Sequence, residues 1–304
     1  MRASFSKSLI KLAMADPKVL LLTGDHGYAL FDGFRKSCPD QFINCGIAEQ
    51  NMVGMAAGLA RVGFRPFVYG LAAFIPVRTV EQIKLDIAHD KLPVVLIGDG
   101  AGFVYSHLGT SHQSTEDIAC LRSIPDMQIL SPADQFEMLS AMDYAYESGR
   151  SIYLRMGKAD CGDLHPAEIG KLYPGSLLKL RDGRSDRPGL IATGSMVSKA
   201  VQIAGSRGLN VWSAPSIKPM SIDDVCGAAA ACSSLVTIEE HSVIGGLGAA
   251  VSEITSEYKP TRVVRVGVPD RFSNYCGSYE YLLKEHGMDS LTLGNIIDKI
   301  ISGQ

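Results

Sequence analysis

No apolar run in this 304-residue chain is long enough to span a bilayer, which excludes a helical membrane anchor within it. The N-terminus, Met1 to Lys11, interleaves charges with apolar residues where a signal peptide would be unbroken, and it reads as an amphipathic first helix. Excess charge is also missing. With 29 Lys+Arg against 32 Asp+Glu the net charge is −3, and with no basic block there is no electrostatic case for nucleic acid or an anionic membrane. The seven cysteines (38, 45, 120, 161, 226, 232 and 276) are odd in number and lack paired metal-ligand spacing. Several sit in apolar stretches as reduced core thiols do, which points to a cytoplasmic setting. There is no short-period repeat and no low-complexity tract. What remains, 46% hydrophobic and 20% charged residues, is the composition of a globular protein with length for two cores.

Short apolar runs alternate with helical patterns: Val19 to Leu22, Pro66 to Tyr69, Val94 to Gly98, Gln128 to Leu130 and Ser151 to Leu154. That alternation predicts a parallel sheet wrapped by helices, with helices over 49–61 and 79–89 and a third opened by Ser131 as cap and Pro132 in its first turn. Residues 161–188, rich in glycine, proline and scattered charge, read as a linker with little structure of its own. A second α/β series follows, with strands at Leu190 to Thr193, Asn210 to Trp212, Ser234 to Ile238 and Arg262 to Val266. The expected fold is α/β in two domains, 1–160 and 189–304, each a mostly parallel sheet with helices on both faces.

The stretch Phe42-Ile43-Asn44-Cys45-Gly46-Ile47-Ala48-Glu49-Gln50-Asn51-Met52 places one carboxylate among apolar and small residues at a strand-to-helix turn. Such an acid carries a desolvation cost unless it is protonated or hydrogen-bonded to a partner. Alone, the turn is equally a helix N-terminal acid satisfying free backbone amides.

This segment resembles the start of the pyrimidine-binding domain of transketolase-type, thiamine-diphosphate-dependent enzymes. The resemblance implies that Glu49 hydrogen-bonds the ring nitrogen of the cofactor's aminopyrimidine and favours its imino tautomer. Leu71-Ala72-Ala73-Phe74, leading into Arg78, Glu81, Gln82 and Lys84, looks like the family's aromatic platform. It makes Phe74 a candidate for stacking on the pyrimidine, although spacing alone fits a core phenylalanine equally well. Asp25, in Thr23-Gly24-Asp25-His26-Gly27, follows the first strand at its carboxyl end, where open α/β sheets bind ligands; it is otherwise a turn aspartate. Asp25 and Gln82 thus join Glu49 and Phe74 on the cofactor side.

Tyr105 to Gln113 is too polar and glycine-punctuated for a strand and reads as a functional loop. His112-Gln113 matches the family's Thr-His-Gln, whose histidine contacts a sugar oxygen and can pass protons near neutral pH. His112 is therefore the second catalytic candidate, with His26, His107 and Leu108 beside it on the substrate side. Arg155 matches the family arginine that grips a substrate phosphate, or else forms a surface ion pair. The loop departs from the family pattern at Leu108, where an aspartate reads a donor hydroxyl. An alkyl side chain cannot accept that hydrogen bond, which costs on the order of 1–3 kcal/mol and implies a modified sugar as substrate.

The second domain resembles the transketolase C-terminal domain through Ala192-Thr193-Gly194-Ser195, Ile217-Lys218-Pro219, the run Thr237 to Gly248 and Val266 to Phe272. Glu239-Glu240-His241 could be a metal or acid/base cluster, but a strand end before a glycine-rich turn more often has structural work. Gly98-Asp99-Gly100 imitates the family's metal motif, yet residues 125–132 contain no asparagine to complete it. No histidine-rich diphosphate-binding half precedes Met1. The expectation is one subunit of a split transketolase-like enzyme, inactive alone, with thiamine diphosphate held between this chain and a separate diphosphate-binding subunit, which also carries Mg2+ or Ca2+. A pair of heterodimers, α2β2, is the usual arrangement. The competing readings are a 2-oxo acid dehydrogenase β subunit and a non-catalytic scaffold subunit of such a complex.

Overall fold

The computed structural model describes residues 1–158 and 161–303. Twelve strands are found there: β1 (Val19–Thr23), β2 (Phe42–Asn44), β3 (Arg65–Leu71), β4 (Val95–Asp99), β5 (Met127–Leu130), β6 (Ser151–Met156), β7 (Leu178–Arg181), β8 (Gly189–Ala192), β9 (Asn210–Ser213), β10 (Ser216–Lys218), β11 (Leu235–Ser242) and β12 (Val263–Val268). They form a seven-stranded sheet in the order β10-β5-β6-β4-β3-β1-β2 and a five-stranded sheet in the order β12-β11-β8-β9-β7. Every pairing is parallel except β10 on β5 and β7 on β9.

Every strand of the first sheet's centre is buried on both faces, as a parallel sheet requires. In β1, Leu20 and Leu22 join the core against the helix Glu49–Arg61, while Val19 and Leu21 join the core against the helices Arg2–Ala15 and Gln135–Glu147. The first of these cores continues through Trp212, Val225, Leu235 and Leu247, so one apolar layer couples the two sheets.

Three expectations need correction. Strand β7 lies inside the stretch read as an unstructured linker, because Leu178 to Arg181 can close the edge of the second sheet on β9. The boundary expected at residue 160 lies outside the described residues. β10 comes from the second half of the sequence but completes the first sheet. The helix expected to open at Ser131 begins at Gln135 instead. Asp134 caps it, accepting from the amides of Phe136 (3.0 Å) and Glu137 (2.9 Å), while the amide of Ser131 donates to Pro215 and its carbonyl accepts from Gly194. The helix expected over 79–89 is present, but it widens into π-type turns over Ile83–Ala88. Of the cysteines only Cys38 is buried, and no disulfide occurs among the described residues. Among the same residues no helix is long and apolar enough to cross a membrane.

Candidate active site

The carboxyl ends of β1 and β2 meet at Asn44. Its side-chain oxygen accepts from the amides of Asp25 (3.2 Å) and Gly46 (3.0 Å), and its nitrogen donates to the Asp25 carboxylate (3.1 Å). Asp25 sits at φ 63°, a left-handed turn position that aspartate tolerates. The hydrogen bond from Asn44, then one from Tyr28, holds its carboxyl below the usual range. The His26 backbone is pinned to the Thr23 hydroxyl in the same turn. Gly46, at φ 71°, redirects the chain so that Glu49 opens its helix, where the free N-terminal amides favour a negative charge.

Glu49 is 8% exposed and is not alone: Arg78 Nη1 donates to Glu49 Oε1 at 2.9 Å. The same guanidinium lies over the Phe74 ring, its Cζ 3.7 Å from the centroid, and remains 47% exposed. Phe74 in turn meets the His112 ring edge to face, at 5.2 Å between centroids. Glu49, Arg78, Phe74 and His112 therefore form one continuous chain of contacts. Ile47, Gln50 and Asn51 join Glu49 and Arg78 around an open cleft of about 470 Å³. Behind them, Gln82 Oε1 is buried without a partner among the described residues.

A planar N–H donor thus already rests between an aromatic face and a buried carboxylate. The side chains present fit a flat nitrogen heterocycle, provided the guanidinium gives up its place. Arg78 was named in the sequence without a role. Its position four residues after Phe74 on a helical turn was the available signal.

His112 belongs to a loop that folds as two short turns, Ser106–Leu108 and Thr110–His112, with Ser111 Oγ 3.0 Å from His112 Nδ1. His107 and Leu108 (49% exposed) lie on its outer side. The loop base is closed by backbone pairing of Gly102 with Ser114. Tyr105 ties the loop to Asp99 (2.8 Å), which also receives Arg2 (3.0 Å). The acid of Gly98-Asp99-Gly100 is accordingly held inside the fold by an arginine and a phenol.

Arg155 is not where a substrate anion could reach it, and the expectation that it grips a phosphate is corrected. Its side chain is 2% exposed. Its Nε donates to Asp117 Oδ2 (2.8 Å), and Nη2 donates to the carbonyls of Ser114 (3.3 Å) and Glu240 (2.8 Å). It is neither a phosphate clamp nor a surface ion pair but a buried cation at the junction of the two domains. Glu239-Glu240-His241 lies at the same junction. Glu239 accepts from the amides of Leu247 and Gly248 at a helix start, and Glu240 accepts from the Phe103 amide, Ser195 and Tyr279. No cluster of three metal-ligating side chains occurs among the described residues.

Residues 1–162 match the family model of the transketolase pyrimidine-binding domain, and residues 181–292 match that of the transketolase C-terminal domain. One of the two subunits of the apulose-4-phosphate transketolase of Phocaeicola vulgatus is 35% identical over 294 residues, covering 95% of this chain and 93% of that protein. The 6-deoxy-6-sulfo-D-fructose transketolase subunit of a Clostridium species is 31% identical, covering 95% and 90%. Among solved structures, a split-gene transketolase described as an inactive β4 tetramer superposes with a TM-score of 0.88 at 33% identity, covering 99% of this chain and 97% of that one.

Proposed function

This chain belongs to the transketolase family, and we propose that it is the pyrimidine-side subunit of a split enzyme that transfers a two-carbon ketol unit between sugar-type substrates. The contact chain Glu49–Arg78–Phe74–His112 carries this reading, because it joins an acid, an aromatic face and a proton-passing imidazole at one cleft. The family's cofactor, thiamine diphosphate, would be held by Glu49 and Phe74, with Gln82 and Asp25 beside them, and when bound it supplies a carbanion carrier for the two-carbon unit. Glu49 would hold a proton at its carboxyl oxygen against a ring nitrogen. Phe74 would give the apolar face, and His112 would exchange a proton with a sugar oxygen. Arg78 would have to leave the Phe74 face.

The other end of the cofactor and its Mg2+ or Ca2+ belong, in this reading, to a separate diphosphate-binding subunit, in an α2β2 assembly set in the cytoplasm. Two observations support a second polypeptide. Ile47 (76% exposed), Asn51, Met55, Gly58 and Val62 make an unpartnered face on the helix that starts at Glu49. A relative's lone β chains assemble as an inactive tetramer. The half-exposed Leu108 supports a non-standard sugar, as do the relatives named for apulose 4-phosphate and 6-deoxy-6-sulfofructose.

The test mixes the purified chain, a partner subunit carrying Gly-Asp-Gly and a later asparagine pair, thiamine diphosphate and Mg2+. The donors are xylulose 5-phosphate, apulose 4-phosphate and 6-deoxy-6-sulfofructose, each with glyceraldehyde 3-phosphate as acceptor. Ketol transfer is expected only when both polypeptides are present, and a modified sugar should give the highest kcat/KM. Turnover by the chain alone, or none with any donor, overturns the proposal.

A further inference from the structure

The loop that bears His112 is built as much on the second domain as on the first. Glu240 receives the Phe103 amide (2.6 Å) at the start of the loop, and the Ser242 amide donates to Thr115 (2.7 Å) at its end. Between these, Ser273 Oγ lies 2.9 Å from Gln113 Oε1 and 2.9 Å from His286 Nε2. Gln113 is the residue after His112, and its side chain is 6% exposed.

The chemistry of the three groups fixes the direction of the relay. The amide oxygen of Gln113 only accepts, so the single hydroxyl proton of Ser273 goes to it. Ser273 Oγ then accepts from His286, which must carry its proton on Nε2. Burial lowers the pKa of His286, and Arg271 nearby adds to this, which favours the neutral ring this arrangement requires. The His286 ring is itself held by stacking on Phe103, at 4.9 Å and 18° between planes. Both remaining ends, Gln113 Nε2 and His286 Nδ1, are buried without protein partners among the described residues, and a cavity of about 40 Å³, large enough for one water, is lined by both residues.

We infer that Ser273 is a positioning residue for ketol transfer: through Gln113 it sets the backbone turn that aims His112 at the Phe74 face, and His286 sets the orientation of its hydroxyl. This makes the C-terminal domain a template for the substrate loop. It rests on the substrate role proposed for His112.

The test is a double-mutant cycle in the reconstituted two-subunit complex, using whichever of the three ketoses turns over fastest. Ser273→Ala should lower kcat/KM about tenfold, the size of one lost hydrogen bond, mainly through KM. Ser273→Thr, which keeps the hydroxyl, should stay within about threefold of wild type on the same scale. In a His112→Ala background, Ser273→Ala should cause no further loss. The relay is overturned if Ser273→Ala leaves KM unchanged, if threonine fails to rescue, or if the two losses multiply. If His112→Ala alone behaves as wild type, the substrate role of His112 has failed, and the relay with it. A loss at His112→Ala with none at Ser273→Ala rejects the relay alone.

Discussion

Arg78 uses one guanidinium for two contacts, an ion pair to Glu49 and a stack on Phe74. Both must break when a planar ring takes the Phe74 face. A half-exposed ion pair and a cation–π contact are together worth about 1 kcal/mol, so Arg78→Ala should tighten thiamine diphosphate binding by the complex about fivefold, as read by a titration of the cofactor. Weaker binding would show that Arg78 holds the cofactor and does not compete with it. Leu108 makes a different prediction. Restoring an acceptor with Leu108→Asp should raise kcat/KM for xylulose 5-phosphate relative to the modified sugars by roughly tenfold, and an unchanged ratio would separate Leu108 from donor choice. At this scale the motif around Glu49 was legible because its residue types allow few alternatives. Arg155 was misread because a strand-end arginine has the same sequence context whether it points at solvent or, as here, at Asp117 and two carbonyls.

The helix Glu49–Arg61 carries the acid on its first turn and two glycines, Gly54 and Gly58, on its outer side. A side chain at either would meet nothing within 4 Å, so neither glycine is required by this chain's own packing. Each costs roughly 0.5–1 kcal/mol of helix stability relative to alanine. Gly58→Ala should therefore raise the stability of the isolated chain by about that amount in urea unfolding. Gly58→Leu should leave the chain folded yet weaken assembly with the diphosphate-binding subunit by at least tenfold in sedimentation equilibrium, at about 1.4 kcal/mol per decade. Undiminished assembly would place the partner on another face. The central strands and this helix were readable from apolar runs and small-residue spacing. β7 and β10 were not, since each is a short edge segment whose pairing depends on a strand far away in sequence, β9 and β5 respectively. Asp134 was passed over as a cap because Ser131-Pro132 satisfies the same sequence rule three residues earlier.

Across the whole molecule, the two domains are joined by buried charge as well as by a shared apolar layer. Burial pushes Glu239 up to about 7, and burial draws His241 down to about 4, with the ring neutral, donating from Nδ1 to the Ser242 carbonyl and accepting the Ala119 amide on Nε2. The signs oppose. A carboxyl whose folded pKa is raised stabilises below its unfolded pKa, and that contribution fades as pH rises through 7; an imidazole whose folded pKa is depressed stabilises above its unfolded pKa, and that contribution fades as pH falls through 4. Between about pH 5 and 6.5 the two slopes offset each other. Relative to wild type, Glu239→Gln should therefore gain stability with rising pH over that window, and His241→Asn should lose it. Parallel slopes in urea unfolding at the two pH values would refute the assignment. The two-domain division was legible in the alternation of runs, but the charged junction was not, because Asp117, Arg155 and Glu239 to His241 converge only in three dimensions.

The measurement that bears most directly on the account is the turnover number of the two-subunit complex carrying Glu49→Gln at saturating thiamine diphosphate and ketose. If this carboxyl is the acid that tunes the cofactor, turnover falls by a factor of about 10² or more while assembly and thermal midpoint stay at wild-type values. Turnover within twofold of wild type would contradict it.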